Sequence, residues 1–402
     1  MASVKVERVA RIVPGFRAAG IHAGIKAQAK DLALIVSDER ASAAGVFTRS
    51  TVVGAPVEVS RARVKRGIAR AVVVNSGCSN VAMGARGIRD AHSMARIAAK
   101  AIGCEESEVL IASTGVIGQP LPLDVLARGI PQAVTALSED GMREAAEAIR
   151  TTDTFAKLAS TSLVLGGEKI TLQGIAKGAG MIEPNMATML SFLTTDAKIA
   201  PALLRAILRR VSDATFNRLS VDGETSTSDS VMLLASGRSM RTGLRAGSRD
   251  AARFEAALQA VCEDLVRQLA RDGEGATKLV LVDVRGARSA RDADRAARRI
   301  GNSMLVKTAI FGGDPNWGRI LQTIGAARIA WHPERTKILL GGVPVFTRGR
   351  SAGPAARQRA EIALKAEEIE IRVDLGRGPG QARLFTCDLT YEYIRVNADY
   401  TT

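Results

Sequence analysis

Residues 177–197 read KGAGMIEPNMATMLSFLTTDA. A Gly-rich turn passes through Pro184 into two small residues, Ala187 and Thr188, and then into an apolar run with the composition of a strand. An internal threonine in this setting can do chemistry without histidine. Its hydroxyl attacks the preceding carbonyl, an ester forms by N-to-O acyl shift, and hydrolysis frees a new α-amine. That amine has an ordinary pKa of about 7.7–8.0, so it can act as base toward its own hydroxyl. The geometry calls for a small residue before the threonine, a turn that strains the bond, and a donor pair for the oxyanion. Ala187 and the turn supply the first two. Thr114 and Gly115 of STGVIG (113–118), at the end of a predicted strand, are candidates for the third. Ordinary strand starts look the same, so the pattern alone leaves a purely structural reading open.

Other chemistries leave no trace. There is no GxSxG elbow, and His22, His92 and His332 are too dispersed to suggest a triad or an HExxH metal site. Cys78, Cys104, Cys262 and Cys387 form no CxxC pair, so no metal is expected and a reducing cytoplasm is the expected location. DGEGATK (272–278) resembles part of a P-loop but lacks the GxxxxGK[ST] spacing. No apolar run approaches the ~20 residues that span a bilayer. The basic N-terminus lacks a continuous apolar segment, so no secretory signal is expected.

A formal charge of +15 raises the question of nucleic acid. In RDADRAARRI, however, Ala293, Ala296, Ala297 and Ile300 recur at helical spacing, with Arg291, Arg295, Arg298 and Arg299 at the other positions. That pattern is an amphipathic helix with a solvated basic face. With only 3% aromatic residues, a stacking platform for bases is not evident. No nucleic-acid partner and no membrane partner are expected.

At 402 residues, 46% hydrophobic, the chain can bury a large core or form two to three domains. Strands are predicted at 32–38, 69–77 and 108–115, with a helix over 87–103 and helix-like sequence over 121–150. Gly166-Gly167 reads as a hairpin turn between two strands. Further helices fall at 202–216 and within 254–275, the second ending at Gly273. DPNWGRI (314–320) reads as a turn in which Trp317 and Arg319 support the fold. The sequence becomes strand-heavy from about 285, with one helix over 355–366 and strands reaching Val396.

Beyond single residues, several segments follow one another in a fixed order: GFRAAGIHAGIK (15–26), VVVNSG (72–77), ASTGVIG (112–118), TTDT (151–154), AKGAGMIEPNMATML (176–190), DGETSTSDS (222–230), GEGATK (273–278), FGGDPNWGRI (311–320) and VNADYTT (396–402). Taken together they resemble the ornithine acetyltransferase (glutamate N-acetyltransferase) family of arginine biosynthesis, over nearly the whole chain. Departures are confined to positions such as Cys78 and Ser79 after NSG, and Ser228 where Asn is frequent.

The resemblance implies self-cleavage between Ala187 and Thr188, with Thr188 the catalytic nucleophile and Thr114 and Gly115 the oxyanion hole. It implies substrate-binding roles for Thr151, Lys177, Thr188, Glu274, Asn397 and Thr402. The implied reaction moves acetyl from N2-acetyl-L-ornithine to L-glutamate through an acetyl-Thr188 intermediate. No cofactor is expected, although acetyl-CoA is a candidate second substrate. The implied fold is an α/β (α+β) layered sandwich of stacked sheets flanked by helices, N-terminal-nucleophile-like, with a smaller strand-rich C-terminal subdomain over about 285–402. An α chain (1–187) and a β chain (188–402) would pair as α2β2 in the cytoplasm. Two alternatives from other classes remain open: a self-cleaving aminopeptidase or amidase of related architecture, and a basic nucleic-acid-binding protein.

Overall fold

The computed structural model describes residues 4–183 and 189–399. Two sheets organise the described residues. The larger has eight strands: β1 (Phe16–Ile21), β2 (Leu32–Phe47), β3 (Ile68–Cys78), β4 (Val109–Val116), β5 (Lys157–Leu165), β6 (Glu168–Lys177), β7 (Leu190–Thr195) and β8 (Ser230–Ala235). Its order is β4-β3-β2-β8-β7-β6-β5, with β1 also paired to β2. The smaller sheet takes β9 (Leu279–Ala287), β10 (Lys337–Leu340), β11 (Val343–Thr347), β12 (Arg350–Ser351), β13 (Glu368–Asp374) and β14 (Gly380–Cys387), in the order β12-β11-β10-β13-β9-β14.

The helices are α1 (Ala55–Val64), α2 (Gly84–Ile102), α3 (Leu123–Thr135), α4 (Met142–Ala148), α5 (Pro201–Ala214), α6 (Arg249–Arg271), α7 (Ala290–Gly301), α8 (Met304–Phe311), α9 (Trp317–Gly325), α10 (Pro354–Ala363) and α11 (Tyr391–Asp399). The chain is therefore a layered α/β protein with a second, smaller sheet at its C-terminal end, as expected. No helix among the described residues is long and apolar enough to cross a membrane.

Local chemistry accounts for the elements that matter most. The β5–β6 hairpin turns at Gly166 and Gly167, both at positive φ (59° and 84°), as a two-residue turn demands when both central positions are left-handed. In α6, Phe254, Leu258, Val261, Leu265 and Leu269 follow helical spacing and are fully buried. Together with Leu204, Ile207 and Val211 of α5 they form one core against the large sheet, which also takes in Phe385 and Cys387 of β14. Helix α6 thus joins the two sheets. A separate core lies under α2 and α3 beside β2, β3 and β4, and another fills the small sheet.

Four details differ from the sequence expectations. The segment 121–150 is two helices, α3 and α4, separated by residues 136–141; at Gly141 an added Cβ would lie 1.9 Å from the Ala18 carbonyl oxygen. The strand that starts at Leu32 runs on to Phe47, crossing a register shift between Val36 and Ala41 that lets its second half pair with β8. DPNWGRI opens a helix rather than forming only a turn: the Asn316 side chain caps α9 by accepting the Arg319 N–H. The terminal YEYIRVNAD is helix α11, not strand; its apolar residues Tyr391 and Ile394 are exposed, so no alternating face was available to bury. The reading of Trp317 and Arg319 as fold supports fits their contacts. Trp317 stacks on Phe346 with centroids 4.9 Å apart, and Arg319 donates to the Leu305 carbonyl at 2.7 Å.

Phe346 is almost fully buried at the centre of the small-sheet core. Phe346→Ala should lower unfolding stability by about 3–5 kcal/mol. A fall in the urea midpoint at unchanged denaturant slope is the expected reading.

Candidate active site

The C-terminal ends of β4 and β6 meet at one cavity of about 150 Å³. Six of the expected site residues line it: Thr114, Gly115, Thr151, Lys177, Glu274 and Asn397. Ala187, Thr188 and Thr402 lie outside the described residues. Met189, to which Thr188 is bonded, lines the same cavity and begins the run into β7.

Each wall has a local cause. Strand β4 runs parallel to β3 with Gly115 opposite Gly77. Gly115 has φ +126°, and a Cβ there would stand 2.4 Å from the Gly77 carbonyl carbon, so only glycine closes this end of the sheet. Lys177 ends β6 and is buried; its Nζ donates to Thr151 Oγ1 at 2.6 Å and to Thr114 Oγ1 at 3.2 Å. One ammonium thereby ties together the strand end carrying Thr114 and the loop after α4.

Beneath it sits Asp153. Its Oδ1 accepts from Lys157 Nζ at 2.7 Å and from the Gly178 N–H at 2.6 Å, and its Oδ2 accepts the Thr151 N–H at 3.0 Å. Lys157, also fully buried, reaches Asp272 Oδ2 at 2.5 Å. Asp272 in turn accepts the Thr154 N–H at 3.0 Å. Burial works against the Asp153 carboxylate, but the charges of Lys157 and Lys177 and the Gly178 N–H outweigh it and hold it below the usual carboxylate range. Burial pushes Lys177 down from the ordinary lysine value; Asp153 opposes this and Lys157 reinforces it.

The opposite wall comes from the end of α6 and from α11. Glu274 donates its N–H to the Ala179 carbonyl at 2.9 Å. Its carboxylate packs on Gly180, where a Cβ would lie 2.3 Å from Oε2. Asn397 Nδ2 donates to that carboxylate at 2.8 Å. Helix α11 is held in place by Thr390, whose hydroxyl donates to the Gly275 carbonyl at 2.6 Å. Within α11 the Tyr393 phenol is pushed up to about 12 by burial and by the nearby carboxylates of Asp222, Glu274 and Glu224.

The sequence reading passed over three groups here. Asp153 stands inside the quoted TTDT, and Asp272 directly precedes GEGATK, but nothing in their spacing showed that Lys157 would join them. Asp229, within the quoted DGETSTSDS, also lines the cavity. It is buried, and its Oδ2 has no hydrogen-bond partner among the described residues. Burial raises its carboxyl well above the ordinary value, only partly offset by the hydroxyls of Ser226 and Thr48 and the Lys177 charge.

Such an arrangement can hold a carboxylate against a buried ammonium and hydroxyls, and an amino group against a carboxylate and an amide. Fold and site together define a layered α/β protein whose cavity suits a small zwitterionic ligand. The model of the ArgJ family matches residues 17–402, and the chain belongs to that family, as the ordered motifs imply. It is 45% identical over 391 residues to the arginine biosynthesis bifunctional protein ArgJ of Geobacter sulfurreducens, covering 97% of this chain and 100% of the relative. It is 46% identical to the protein of the same name from Symbiobacterium thermophilum, over 96% of this chain and 97% of that one. Among solved structures it resembles arginine biosynthesis bifunctional protein argJ from Bacillus halodurans, at 44% identity and a TM-score of 0.51, covering 53% of this chain and 100% of that chain.

Asp229 gives a test with a definite sign. The unfolded chain releases this proton near pH 3.9, whereas the folded chain keeps it to higher pH, so the carboxyl destabilises the fold increasingly as pH rises above about 4. Asp229→Asn has no proton to lose. Its melting temperature should approach that of the wild type near pH 4 and exceed it at pH 8. A difference independent of pH would count against a raised Asp229 carboxyl.

Proposed function

We propose that the chain severs itself between Ala187 and Thr188 and that the freed Thr188 carries acetyl from N2-acetyl-L-ornithine to L-glutamate. The Thr188 hydroxyl attacks the acetyl carbonyl while its own α-amine takes the proton and passes it to the departing ornithine nitrogen. The glutamate amine then attacks the acetyl ester, and the Thr188 hydroxyl recovers its proton. Thr114 and Gly115 hold each oxyanion; removing one such donor typically costs ~10²–10³ in turnover. Lys177 and Thr151 take a substrate carboxylate, and Glu274 with Asn397 and Thr402 takes the ornithine amine. No cofactor enters the cycle. Acetyl-CoA is the second acetyl donor in this reading, in keeping with the word bifunctional in the relatives' names.

One observation carries the proposal: family membership over nearly the whole length coincides with a cavity that gathers six of the expected site residues around Met189. The cut itself has separate support. The curated relatives match from end to end, yet the Bacillus halodurans chain is fully covered by 53% of this one. Residues 188–402 make up about that share of 402. In this reading the two fragments stay together, because β7 pairs on one side with β6 of the other fragment, and they assemble further as α2β2 in the cytoplasm.

Denaturing electrophoresis with N-terminal sequencing tests the scheme. Wild-type protein should give two fragments, one beginning with Thr188, and should transfer labelled acetyl from acetylornithine to glutamate. Thr188→Ala should remain a single 42.4 kDa chain without transferase activity. An active wild-type preparation consisting only of the intact chain would contradict the mechanism.

A further inference from the structure

The backbone leading to residue 184 is gripped with unusual completeness. The Met181 N–H donates to Asp222 Oδ2 at 2.6 Å, and the Ile182 N–H donates to Asp222 Oδ1 at 2.8 Å. The Glu183 N–H donates to the Glu224 carbonyl at 2.8 Å, and the Val221 N–H returns a bond to the Ile182 carbonyl at 2.6 Å. Thr225 Oγ1 donates to the Glu183 carbonyl at 3.1 Å. The Glu183 side chain is itself held by Asn302 Nδ2 at 2.6 Å and by Arg298. Met181 has φ +54°, a left-handed conformation that a non-glycine residue keeps only where its surroundings impose it.

The gripping loop is anchored from below. Buried Lys307 donates to the Val221 carbonyl at 2.8 Å and to the Cys387 carbonyl at 2.6 Å, so the loop is fastened to the end of β14. On the far side of residues 184–188, the Met189 carbonyl accepts the Ser230 N–H at 3.0 Å, and Leu190 enters β7. The described residues on either side of 184–188 are thus both held at fixed points. Asp222 is not among the cavity-lining residues; its carboxylate spends both oxygens on backbone N–H groups.

We propose that Asp222 is a positioning residue for self-cleavage, setting the backbone before Ala187–Thr188 so that the threonine hydroxyl meets the preceding carbonyl. The inference rests on the cleavage site proposed above. Asp222 exchanges no proton. In the step it serves, the bond from Thr188 Oγ to the Ala187 carbonyl carbon forms, the Ala187–Thr188 C–N bond breaks, and the hydroxyl proton passes to the released nitrogen. The carboxylate acts only by fixing where Met181 and Ile182 sit, and a misplacement of about 1 Å can cost ~10² in rate. Asparagine at this position offers one acceptor oxygen and turns an NH₂ toward an N–H, so at least one of the bonds that Asp222 accepts from the Met181, Ile182 and Glu224 N–H groups is lost.

The test follows conversion of freshly purified full-length precursor to fragments, with and without hydroxylamine, in wild type, Asp222→Asn and Thr225→Val. Asp222→Asn should cleave ~10²-fold more slowly. Hydroxylamine, which opens an ester already formed, should not restore the rate, because the slowed step precedes the ester. Thr225→Val, a change at an exposed residue, should cleave several-fold more slowly and carries the test if Asp222→Asn does not fold. Chains of either variant, once cut, should transfer acetyl within about threefold of wild type, since neither Asp222 nor Thr225 is among the cavity-lining residues. Cleavage of Asp222→Asn at the wild-type rate overturns the proposal, as does rescue by hydroxylamine. So does transfer activity per cut chain that falls as far as cleavage does. If Asp222→Asn does not fold, wild-type-rate cleavage of Thr225→Val overturns it. A wild-type precursor that stays whole removes the cleavage reading itself, a different and recognisable result.

Discussion

Asp153, buried between two buried lysines, is the interaction on which the site depends. It holds Lys157 and the Gly178 N–H on one oxygen and the Thr151 N–H on the other, while Lys177 stands near enough to feel its charge. Taking such charges out of water costs several kcal/mol per ion, repaid only when geometry and hydrogen bonding are nearly complete. Here the Asp153 and Asp272 carboxylates meet that condition through backbone N–H groups of the 151–154 loop. The consequence is functional: Thr151 and Lys177 cannot drift apart without stranding a buried charge.

The second constraint is the bridging role of α6. Its apolar stripe packs beneath the large sheet, and residues immediately after its end supply Asp272 to the ion network and Glu274 to the cavity wall. Because the same core includes Phe385 and Cys387 of β14, the small sheet is held in register with the cavity. That register brings α11, and with it Asn397, to Glu274. It also lets Lys307 anchor the 221–225 loop that holds the approach to residue 184. The small sheet therefore contributes to the site by fixing distances, with few of its own residues in the cavity.

The surplus positive charge has a plain structural reading. On α7, Arg291, Arg295 and Arg299 are exposed while Ala293, Ala296, Ala297 and Ile300 are buried, the amphipathic pattern expected of a solvated face. Arg298 is the exception, turned inward to Glu183, Asp294 and the Asn217 carbonyl. From the sequence it looked the same as its neighbours.

Much of this was legible in the residues themselves. Alternation and helical spacing marked most strands and helices; Gly166-Gly167 marked its hairpin, and long ordered motifs marked the family and the candidate site. These are local signals, set by steric limits on the backbone and by the period of side chains around a helix or along a strand. The misreadings arose where local signal was weak: α11 has no buried stripe to betray it, and DPNWGRI hides a cap inside a turn. What only the tertiary structure decided is the company each side chain keeps. Lys157 and Asp272 are 115 residues apart, and Asn397 and Glu274 are 123 apart. Asp222 finds two of its N–H partners about forty residues upstream. Burial and pairing are properties of a packed interior, where removal from water makes each charge choose a partner, and no spacing along the chain encodes that choice.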